Sequence, residues 1–349
     1  MVDTQHRIGR SIALGTVAAA ALLAAASGGT ATAGGSQLRI GLVLEQPLVS
    51  RSGDPFQYGA YHGLVRAARD LHVRAKVVAP NPSSSGDPYI SAMSYLARQP
   101  YDLVIALGTL ETDAVSHAAR RFPHVRFALL DGTRRAVKHA PANVEGTVFH
   151  TEQPAYLAGF LAARMVDRGP RPHVVGSVAG VPIGTVRAYV SGFRAGARAA
   201  DPKIKLLNAY TYDFVSQTKC RHAALNQIAQ GSRVVFDVAG ACGVGALEVA
   251  KRRGVYGIGV DIDQSYLGRY ILTSVVKNLG SAVYDLASRL VDARWRTGGD
   301  LSFDLRNRGV GLGTISPDVP RALRRQLRTL AAEIVQGKIV VPTTLSPRP

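Results

Sequence analysis

Apolar and polar residues follow two different periods from Leu38 to Phe149. Short continuous apolar runs, such as LRIGLVL at Leu38–Leu44, are separated by longer segments whose apolar residues recur at helical spacing. Buried strands give the first pattern and amphipathic helices give the second, so the alternation predicts a parallel sheet covered by helices on both faces. The predicted strands are Leu38–Leu44, Val73–Val78, Leu103–Leu107, Arg126–Leu130 and Val144–Phe149, and the predicted helices are Gln57–Leu71, Pro88–Arg98 and Glu111–Arg121.

The same pattern begins again at Gln153, so we predict a second α/β unit of similar build. Ligands bind at the carboxyl ends of strands in open parallel sheets, and two such sheets facing each other form a cleft. The second unit is predicted to contain helices Gln153–Val166, Thr185–Ala200, Lys219–Gln230 and Gly243–Arg252, and strands His173–Val178, Ile204–Tyr210, Val234–Val238 and Gly257–Val260. The predicted elements that follow are strand Tyr270–Ser274, helices Ala282–Arg294 and Val319–Val335, and a short strand at Lys338–Val341.

The first thirty-three residues have the order of a secretory signal peptide. Arg7 and Arg10 precede an apolar run at Ile12–Ala26, and the small-residue sequence Ala31-Thr32-Ala33 follows. The apolar run is shorter than the roughly 20 residues of a membrane-spanning helix. We therefore expect cleavage after Ala33 and an exported, extracytoplasmic protein. No cysteine lies near that position, so we expect no lipid anchor there.

The chain of 349 residues carries 42 lysines and arginines against 24 acidic residues, a net charge of +18. The excess is spread over several predicted helices and loops, which favours a solvated basic surface over a nucleic-acid site. Such a surface could lie against anionic polymers of a cell wall. The sequence has two cysteines, Cys220 and Cys242, which are too few for a multi-cysteine metal site. In an exported protein they could form a disulfide with each other or remain two buried thiols.

No set of residues for catalysis is recognisable in the sequence. The patterns G-x-S-x-G and H-E-x-x-H are absent, and the glycine-rich stretch Gly240–Gly245 lacks the spacing of a dinucleotide or P-loop motif. We therefore predict a protein that is not an enzyme and needs no cofactor or metal ion.

Aromatic and charged residues near the predicted strand ends are candidates for ligand binding. Phe56 opens a helix in the first unit and Phe214 is predicted to end a strand in the second, so the two rings could stack on a planar ligand, although each could also be core. Asp261 could accept hydrogen bonds from vicinal hydroxyls, or it could cap a loop. Lys277 could donate to the same ligand, or it could lie on the surface.

Several motifs taken together resemble the basic membrane protein family, the purine-nucleoside-receptor-like solute-binding proteins of ABC importers. The resemblance extends from about Leu38 to about Pro342. Its most specific part is Gly259-Val260-Asp261-Ile262-Asp263-Gln264 followed by Thr273-Ser274-Val275-Val276-Lys277, and it also includes Phe56–Gly63, Asn143–Gly146, Glu152–Gly159, Ser191–Ala197 and Val238–Gly240.

The resemblance implies a type I periplasmic-binding-protein fold, in which two Rossmann-like lobes with parallel sheets are joined by hinge strands and close on a ligand. The expected first lobe is 38–145 plus about 266–305, the second is 146–265 plus about 306–342, and 343–349 forms a tail. Phe56 and Phe214 would stack on a nucleoside base, Asp261 and Lys277 would hold ribose hydroxyls, and Gly240 would line the pocket with its backbone. Gly108, at a strand end, and Gln57 complete the implied binding set.

Gln57 stands where the family has asparagine, Gly53 where it has aspartate, and Tyr212 where it prefers glycine. The implied partners are a nucleoside-like small molecule and a membrane permease, with the protein itself a monomer. A ligand sensor without a transport role is an alternative hypothesis. A secreted nucleoside hydrolase that uses Asp54 or Asp261 as acid or base is another.

Overall fold

The computed structural model describes residues 37–47, 50–81, 86–167, 172–296 and 298–344. The predicted signal peptide and its cleavage position lie outside these residues, as does most of the predicted tail. No helix among the described residues is both long enough and apolar enough to cross a membrane.

The first lobe is built on a six-stranded, fully parallel sheet with the strand order β2-β1-β3-β4-β5-β11. Its strands are β1 (Arg39–Val43), β2 (Arg74–Val78), β3 (Leu103–Leu107), β4 (Arg126–Leu130), β5 (Val144–Phe149) and β11 (Asp300–Phe303). The helices of this lobe are α1 (Pro55–Asp70), α2 (Pro88–Arg98), α3 (Thr112–Arg121) and α8 (Leu279–Val291). Apolar cores lie on both faces of the sheet, as the continuous apolar strands predict.

The second lobe repeats the arrangement with the order β7-β6-β8-β9-β10-β12, in which β12 alone is antiparallel to its neighbour. Its strands are β6 (Val174–Ala179), β7 (Lys205–Tyr210), β8 (Val234–Val238), β9 (Tyr256–Asp261), β10 (Ile271–Lys277) and β12 (Val310–Leu312). The helices that cover it are α4 (Glu152–Val166), α5 (Gly184–Ala200), α6 (Gln217–Ala229), α7 (Gly240–Arg252) and α9 (Arg321–Val335).

The chain passes between the lobes three times: between β5 and α4, between β10 and α8, and between β11 and β12. The first two crossings lie further along the chain than the expected boundaries, because all of β5 pairs in the first sheet and all of β10 pairs in the second. The third crossing, between β11 and β12, includes the expected boundary near residue 305. The expectation that 266–305 belongs to the first lobe is therefore wrong for Ile271–Lys277. Lys277 ends β10 directly before the second crossing, so this residue belongs to the hinge region.

Two short strands, β11 and β12, were not predicted from the sequence, and the predicted strand at Lys338–Val341 does not form. Both short strands lie at sheet edges beside β5 and β10, where their pairing depends on the returning chain and not on a local apolar pattern. Phe214 does not end a strand either, since β7 stops at Tyr210 and Phe214 lies in the loop before α6.

Helices α4 and α5 approach each other closely because glycines of α5 face the backbone of α4. A Cβ atom at Gly196 would lie 1.8 Å from the carbonyl oxygen of Tyr156, and one at Gly192 would lie 2.2 Å from that of Glu152. No side chain fits at either position. This packing fixes the helix that carries Tyr189, a buried residue of the site described next.

Candidate ligand-binding site

A cleft lies between the carboxyl ends of the two sheets. Clefts between two lobes are a common place for small organic ligands to bind. The first lobe contributes Glu45, Gln46, Asp54, Phe56, Gly108, Thr109, Leu110 and Asp131, and the second contributes Ile183, Thr185, Val186, Tyr189, Phe214, Val238, Gly240, Ala241, Val260, Asp261 and Lys277.

Lys277 lies between two buried carboxylates that come from different lobes. Its Nζ is 2.7 Å from Oδ2 of Asp131 and 3.6 Å from Oδ1 of Asp261. The hydroxyl of Tyr189 donates a hydrogen bond of 3.2 Å to the same Oδ1 of Asp261. Each of these four side chains is less than a tenth exposed, so the cluster is a desolvated charge network in which each group depends on its partners.

Asp131 and Asp261 hold equivalent places in the two lobes, directly after β4 and at the end of β9. Both have a φ of 65°, in the left-handed region that non-glycine residues adopt uncommonly. Such backbone conformations cluster at functional sites, where the surrounding structure holds them. The pair therefore marks the facing strand ends as a built site.

Burial raises the pKa of Asp261 to about 6, while Lys277 works in the opposite direction and the charge of Asp131 adds to the increase. The pKa of Asp131 is also raised by burial, against the attraction of Lys277. Oδ1 of Asp131 is buried and has no hydrogen-bond partner within the described part of the chain. The cluster therefore contains a buried acceptor that its own neighbours do not satisfy.

The two predicted aromatic residues border the cleft from opposite lobes. Phe56 is held at the start of α1, where the Asp54 carboxylate caps the helix by accepting hydrogen bonds from the backbone N–H groups of Phe56 and Gln57. The Phe214 ring lies against Gly180, where a Cβ atom would be 2.4 Å from Cε1 of the ring. The Lys277 Nζ lies 5.0 Å from the centre of the Phe56 ring, within the range of a cation–π contact.

Six residues of the predicted binding set line this cleft, and their contact with a ligand stays a prediction: Phe56, Gly108, Phe214, Gly240, Asp261 and Lys277. Gln57 does not line it. Its side chain lies behind the wall, where Nε2 donates to Asp54 at 2.7 Å and Oε1 accepts from the backbone of Gln46 at 3.1 Å. Gln57 therefore positions Asp54 and the start of α1, and does not contact the space where a ligand would bind.

Asp54 accepts four hydrogen bonds, two on each carboxylate oxygen, from Phe56, Gln57 and Gln46. A carboxylate engaged in this way is a helix cap and not a free acid or base. The hydrolase hypothesis loses one of its two candidate groups for this reason.

Seven polar residues of the cleft were not in the predicted binding set, and three of them, Glu45, Asp131 and Tyr189, have buried or strongly perturbed ionisable groups. The other four are Gln46, Asp54, Thr109 and Thr185. Glu45 and Asp131 follow predicted strands directly, so their position was a signal that could have found them. Tyr189 lies inside a helix, and its sequence gives no such signal. Burial, together with the negative charges of Asp54 and Asp131, raises the pKa of Glu45 to about 8.

A disulfide joins Cys220 of α6 to Cys242 of α7, with their Cα atoms 5.6 Å apart. The backbone N–H of Cys242 also donates a 2.8 Å hydrogen bond to the carbonyl oxygen of Phe214. The disulfide and this bond together hold the loop that presents the Phe214 ring to the cleft.

One group with the spacing of metal ligands occurs among the described residues, at Asp167, His173 and Asp201, and none of its members lines the cleft. His173 Nδ1 lies 2.9 Å from Oδ2 of Asp201, and Arg164 forms an ion pair of 3.1 Å with Asp167. These contacts account for the group as a hydrogen-bonded cluster at the start of β6.

Two lobes with largely parallel sheets, three crossings and a polar cleft at the facing strand ends define the type I periplasmic-binding-protein fold. The crystal structure of an ABC transporter solute-binding protein from Aeropyrum pernix has the same fold, with a TM-score of 0.77 and 24% sequence identity over 87% of this chain and 94% of that one.

The chain belongs to the Bmp family, described as PnrA-like ABC transporter substrate-binding proteins, whose model matches residues 48–344. It is 30% identical to Basic membrane protein B of Borrelia garinii subsp. bavariensis over 315 residues, which cover 88% of this chain and 89% of that protein. It is 28% identical to the ABC transporter nucleoside-binding protein BmpA of Lactococcus lactis subsp. cremoris over 279 residues, 75% of this chain and 77% of that protein. Proteins of this class bind small ligands outside the cytoplasm and work with a membrane permease.

Proposed function

We propose that this protein binds a nucleoside in the cleft and delivers it to an ABC permease. The observation that carries the proposal is the composition of the cleft. One aromatic ring from each lobe borders the same space as a lysine that lies between two carboxylates, again one from each lobe. A nucleoside has the two matching parts, a planar base and a sugar with vicinal hydroxyls. The nucleoside-binding relative from Lactococcus lactis supports the same ligand class.

The base would stack on Phe56 and Phe214. Both rings line the cleft, one from each lobe, and aromatic rings stack on planar groups. Ile183 and Val238 also line the cleft and add apolar surface to it.

The sugar would lie on the charge cluster. Asp131 and Asp261 both line the cleft, and Lys277 is a donor between their carboxylates. Vicinal hydroxyls can donate to the two carboxylates and accept from the ammonium group in one arrangement. This cluster also explains why a phosphorylated ligand would be disfavoured, because one lysine faces several acidic groups.

Closure of the lobes follows from the distribution of these groups. A ligand that contacts Phe56 and Asp131 of one lobe and Phe214 and Asp261 of the other binds the closed arrangement more tightly than an open one. Its binding free energy therefore shifts the population towards the closed form, which is the form that a permease can distinguish from the empty protein.

Calorimetric titration of the chain from Gly34 tests the proposal. Adenosine, inosine, guanosine and uridine are compared with ribose and adenine at pH 7.5. We expect binding of nucleosides and a loss of about tenfold in affinity for Phe214→Ala, because one stacking contact is removed. Tyr212→Asn is the matched control, since Tyr212 is 70% exposed two residues away and asparagine tolerates its positive φ.

Acid pH provides a second readout. Hydroxyls donate stronger, charge-assisted hydrogen bonds to ionised Asp261 than to its neutral form, so nucleoside affinity should fall as the pH is lowered through its pKa of about 6. Asp261→Asn should bind weakly at every pH and lose this dependence. Binding of ribose alone with nucleoside-like affinity, or no binding of any nucleoside, would contradict the proposed ligand class.

A further inference from the structure

Arg51 and Tyr266 join the two lobes directly at a place outside the binding cleft. Arg51 precedes α1 of the first lobe, and Tyr266 follows β9 of the second. Cζ of the Arg51 guanidinium lies 4.4 Å from the centre of the Tyr266 ring, and Nη2 donates a 2.9 Å hydrogen bond to the carbonyl oxygen of Asp263. The Tyr266 hydroxyl donates in return to the carbonyl oxygen of Arg51 at 3.2 Å. We call Arg51 and Tyr266 the interlobe clasp.

Each half of the interlobe clasp is fixed to its own lobe by other hydrogen bonds. In the first lobe, the backbone N–H of Asp54 donates to the carbonyl oxygen of Ser50, and Asp54 then caps α1, so the turn that carries Arg51 is tied to that helix. In the second lobe, the carboxylate of Asp263 accepts from the hydroxyl of Thr314 at 2.6 Å and from its backbone N–H at 3.2 Å. The arginine and the tyrosine therefore move with their own lobes.

The interlobe clasp lies beside the binding cleft and not in it. Neither Arg51 nor Tyr266 lines the cleft, so their contacts do not depend on a ligand there. Arg51 instead borders a second groove between the lobes, which Tyr58 and Asp263 also line and which extends to the second crossing at Asn278. Arg51 thus reaches the second lobe along an open groove and not through a continuous apolar core.

Opening of the lobes separates the two halves of the interlobe clasp. A hydrogen bond of about 3 Å is lost once its donor and acceptor lie more than about 3.5 Å apart, so a small relative movement of the lobes is enough. In an open form, water replaces the lost partners of the guanidinium and the hydroxyl, and the net difference is modest. Its sign is defined, because the contacts exist in one arrangement of the lobes and not in the other.

We propose that the interlobe clasp sets the balance between the closed and open forms without contacting the ligand, and that Arg51 is thereby a positioning residue for binding. The proposal rests on the proposed closure of the lobes, but not on the chemical class of the ligand. Apparent affinity is reduced by the fraction of the protein that is in the binding-competent form. Loss of the clasp should therefore weaken every ligand of the cleft by the same factor.

Small-angle X-ray scattering of the chain from Gly34 tests the clasp without any ligand. Arg51→Ala removes the guanidinium from an exposed position, so the fold should be retained and the lobes should open more often. The ligand-free variant should have a larger radius of gyration than ligand-free wild type. Saturating adenosine should bring both proteins to the same radius, because the ligand then supplies the closing free energy. A residue with a merely structural role would not produce this ligand-reversible difference.

Calorimetric titration with adenosine measures the effect on affinity. Arg51→Ala should bind about three- to tenfold more weakly than wild type, because a cation–π contact and a hydrogen bond between the lobes are lost. Tyr266→Phe keeps the ring beside the guanidinium and removes the hydroxyl, so its loss should be smaller, about two- to threefold. Arg66→Ala is the matched control, because Arg66 lies 4.3 Å from the centre of the Tyr284 ring within the first lobe, and this variant should scatter and bind as wild type.

The outcomes separate the clasp from the proposed ligand class. Equal radii of gyration for ligand-free wild type and Arg51→Ala, or equal adenosine affinities, would overturn the role of the clasp and leave nucleoside binding intact. An Arg66→Ala variant that opens the lobes as much as Arg51→Ala would overturn it as well. Failure of wild type to bind adenosine or any other nucleoside would overturn the proposed ligand class, and the ligand-free scattering would still decide for or against the clasp.

Discussion

Lys277→Met removes the one cation among the described residues that line the cleft, and methionine has a side chain of similar volume. At an effective dielectric constant of about 20, the attraction of Lys277 for Asp131 across 2.7 Å is roughly 6 kcal/mol, and for Asp261 across 3.6 Å roughly 5 kcal/mol. The desolvation of the buried ammonium and the repulsion between the two carboxylates offset part of this. Loss of one partner from a buried pair costs about 3–5 kcal/mol, which is the destabilisation we expect at pH 7.5.

The deficit should depend on pH in a defined direction. Without Lys277 the pKa values of Asp131 and Asp261, already raised in the wild type, rise further. The folded variant then binds more protons than its unfolded chain between the ordinary carboxyl pKa and these raised values, so its stability falls as the pH rises through that window. Lowering the pH from 7.5 to 5 should therefore recover at least half of the lost stability.

Urea unfolding followed by circular dichroism at both pH values measures the effect. Lys219→Met is the matched control, because Lys219 forms a 2.8 Å ion pair with Asp213 but is 55% exposed, and exposed pairs contribute about 1 kcal/mol or less. Equal deficits in the two variants, or a Lys277→Met deficit that is the same at both pH values, would refute the electrostatic account of the cleft.

Two further predictions concern the loop that carries Phe214. Reduction of the Cys220–Cys242 disulfide, which joins residues 22 positions apart, should lower the free energy of unfolding by about 3 kcal/mol and weaken nucleoside binding. A Cys220→Ala/Cys242→Ala variant is the control and should not respond to reductant. Equal melting temperatures of the oxidised and reduced wild type would contradict this prediction. Gly180→Ala should reduce nucleoside affinity about tenfold, because the added methyl group displaces the Phe214 ring. Gly184→Ala is the control and should bind as wild type, because the space around its Cβ is open. Calorimetric titration of both variants measures the difference, and equal affinities would show that the ring does not contact the ligand.

Sequence patterns predicted most of the fold because its strands are buried on both faces. Runs such as Leu103–Leu107 are continuously apolar, and the helices between them have one apolar face, so type and order could be predicted from local periodicity. Edge strands such as Asp300–Phe303 carry no such signal. Their exposure alternates, and they form because the returning chain lies beside β5.

The binding site was predictable where it depends on strand ends and motifs, and unpredictable where it depends on tertiary contacts. Gly108, Asp261 and Lys277 follow or end strands, and their position alone brings them to the cleft. Gln57 and Asp54 are neighbours in sequence, yet the hydrogen bonds of the N-terminal turn of α1 direct the side chain of Gln57 away from the ligand space. Tyr189 reaches Asp261 only because α4 and α5 pack closely.

A crystal structure of the chain from Gly34 grown with adenosine tests the central claim most directly. We predict electron density for the ligand between the lobes, with the base between Phe56 and Phe214 and the ribose hydroxyls within hydrogen-bond distance of Asp261 and Lys277. Density with the sugar against Phe56 and the base away from Phe214 would contradict the assignment of the two ends. An empty cleft at saturating adenosine would contradict the ligand class itself.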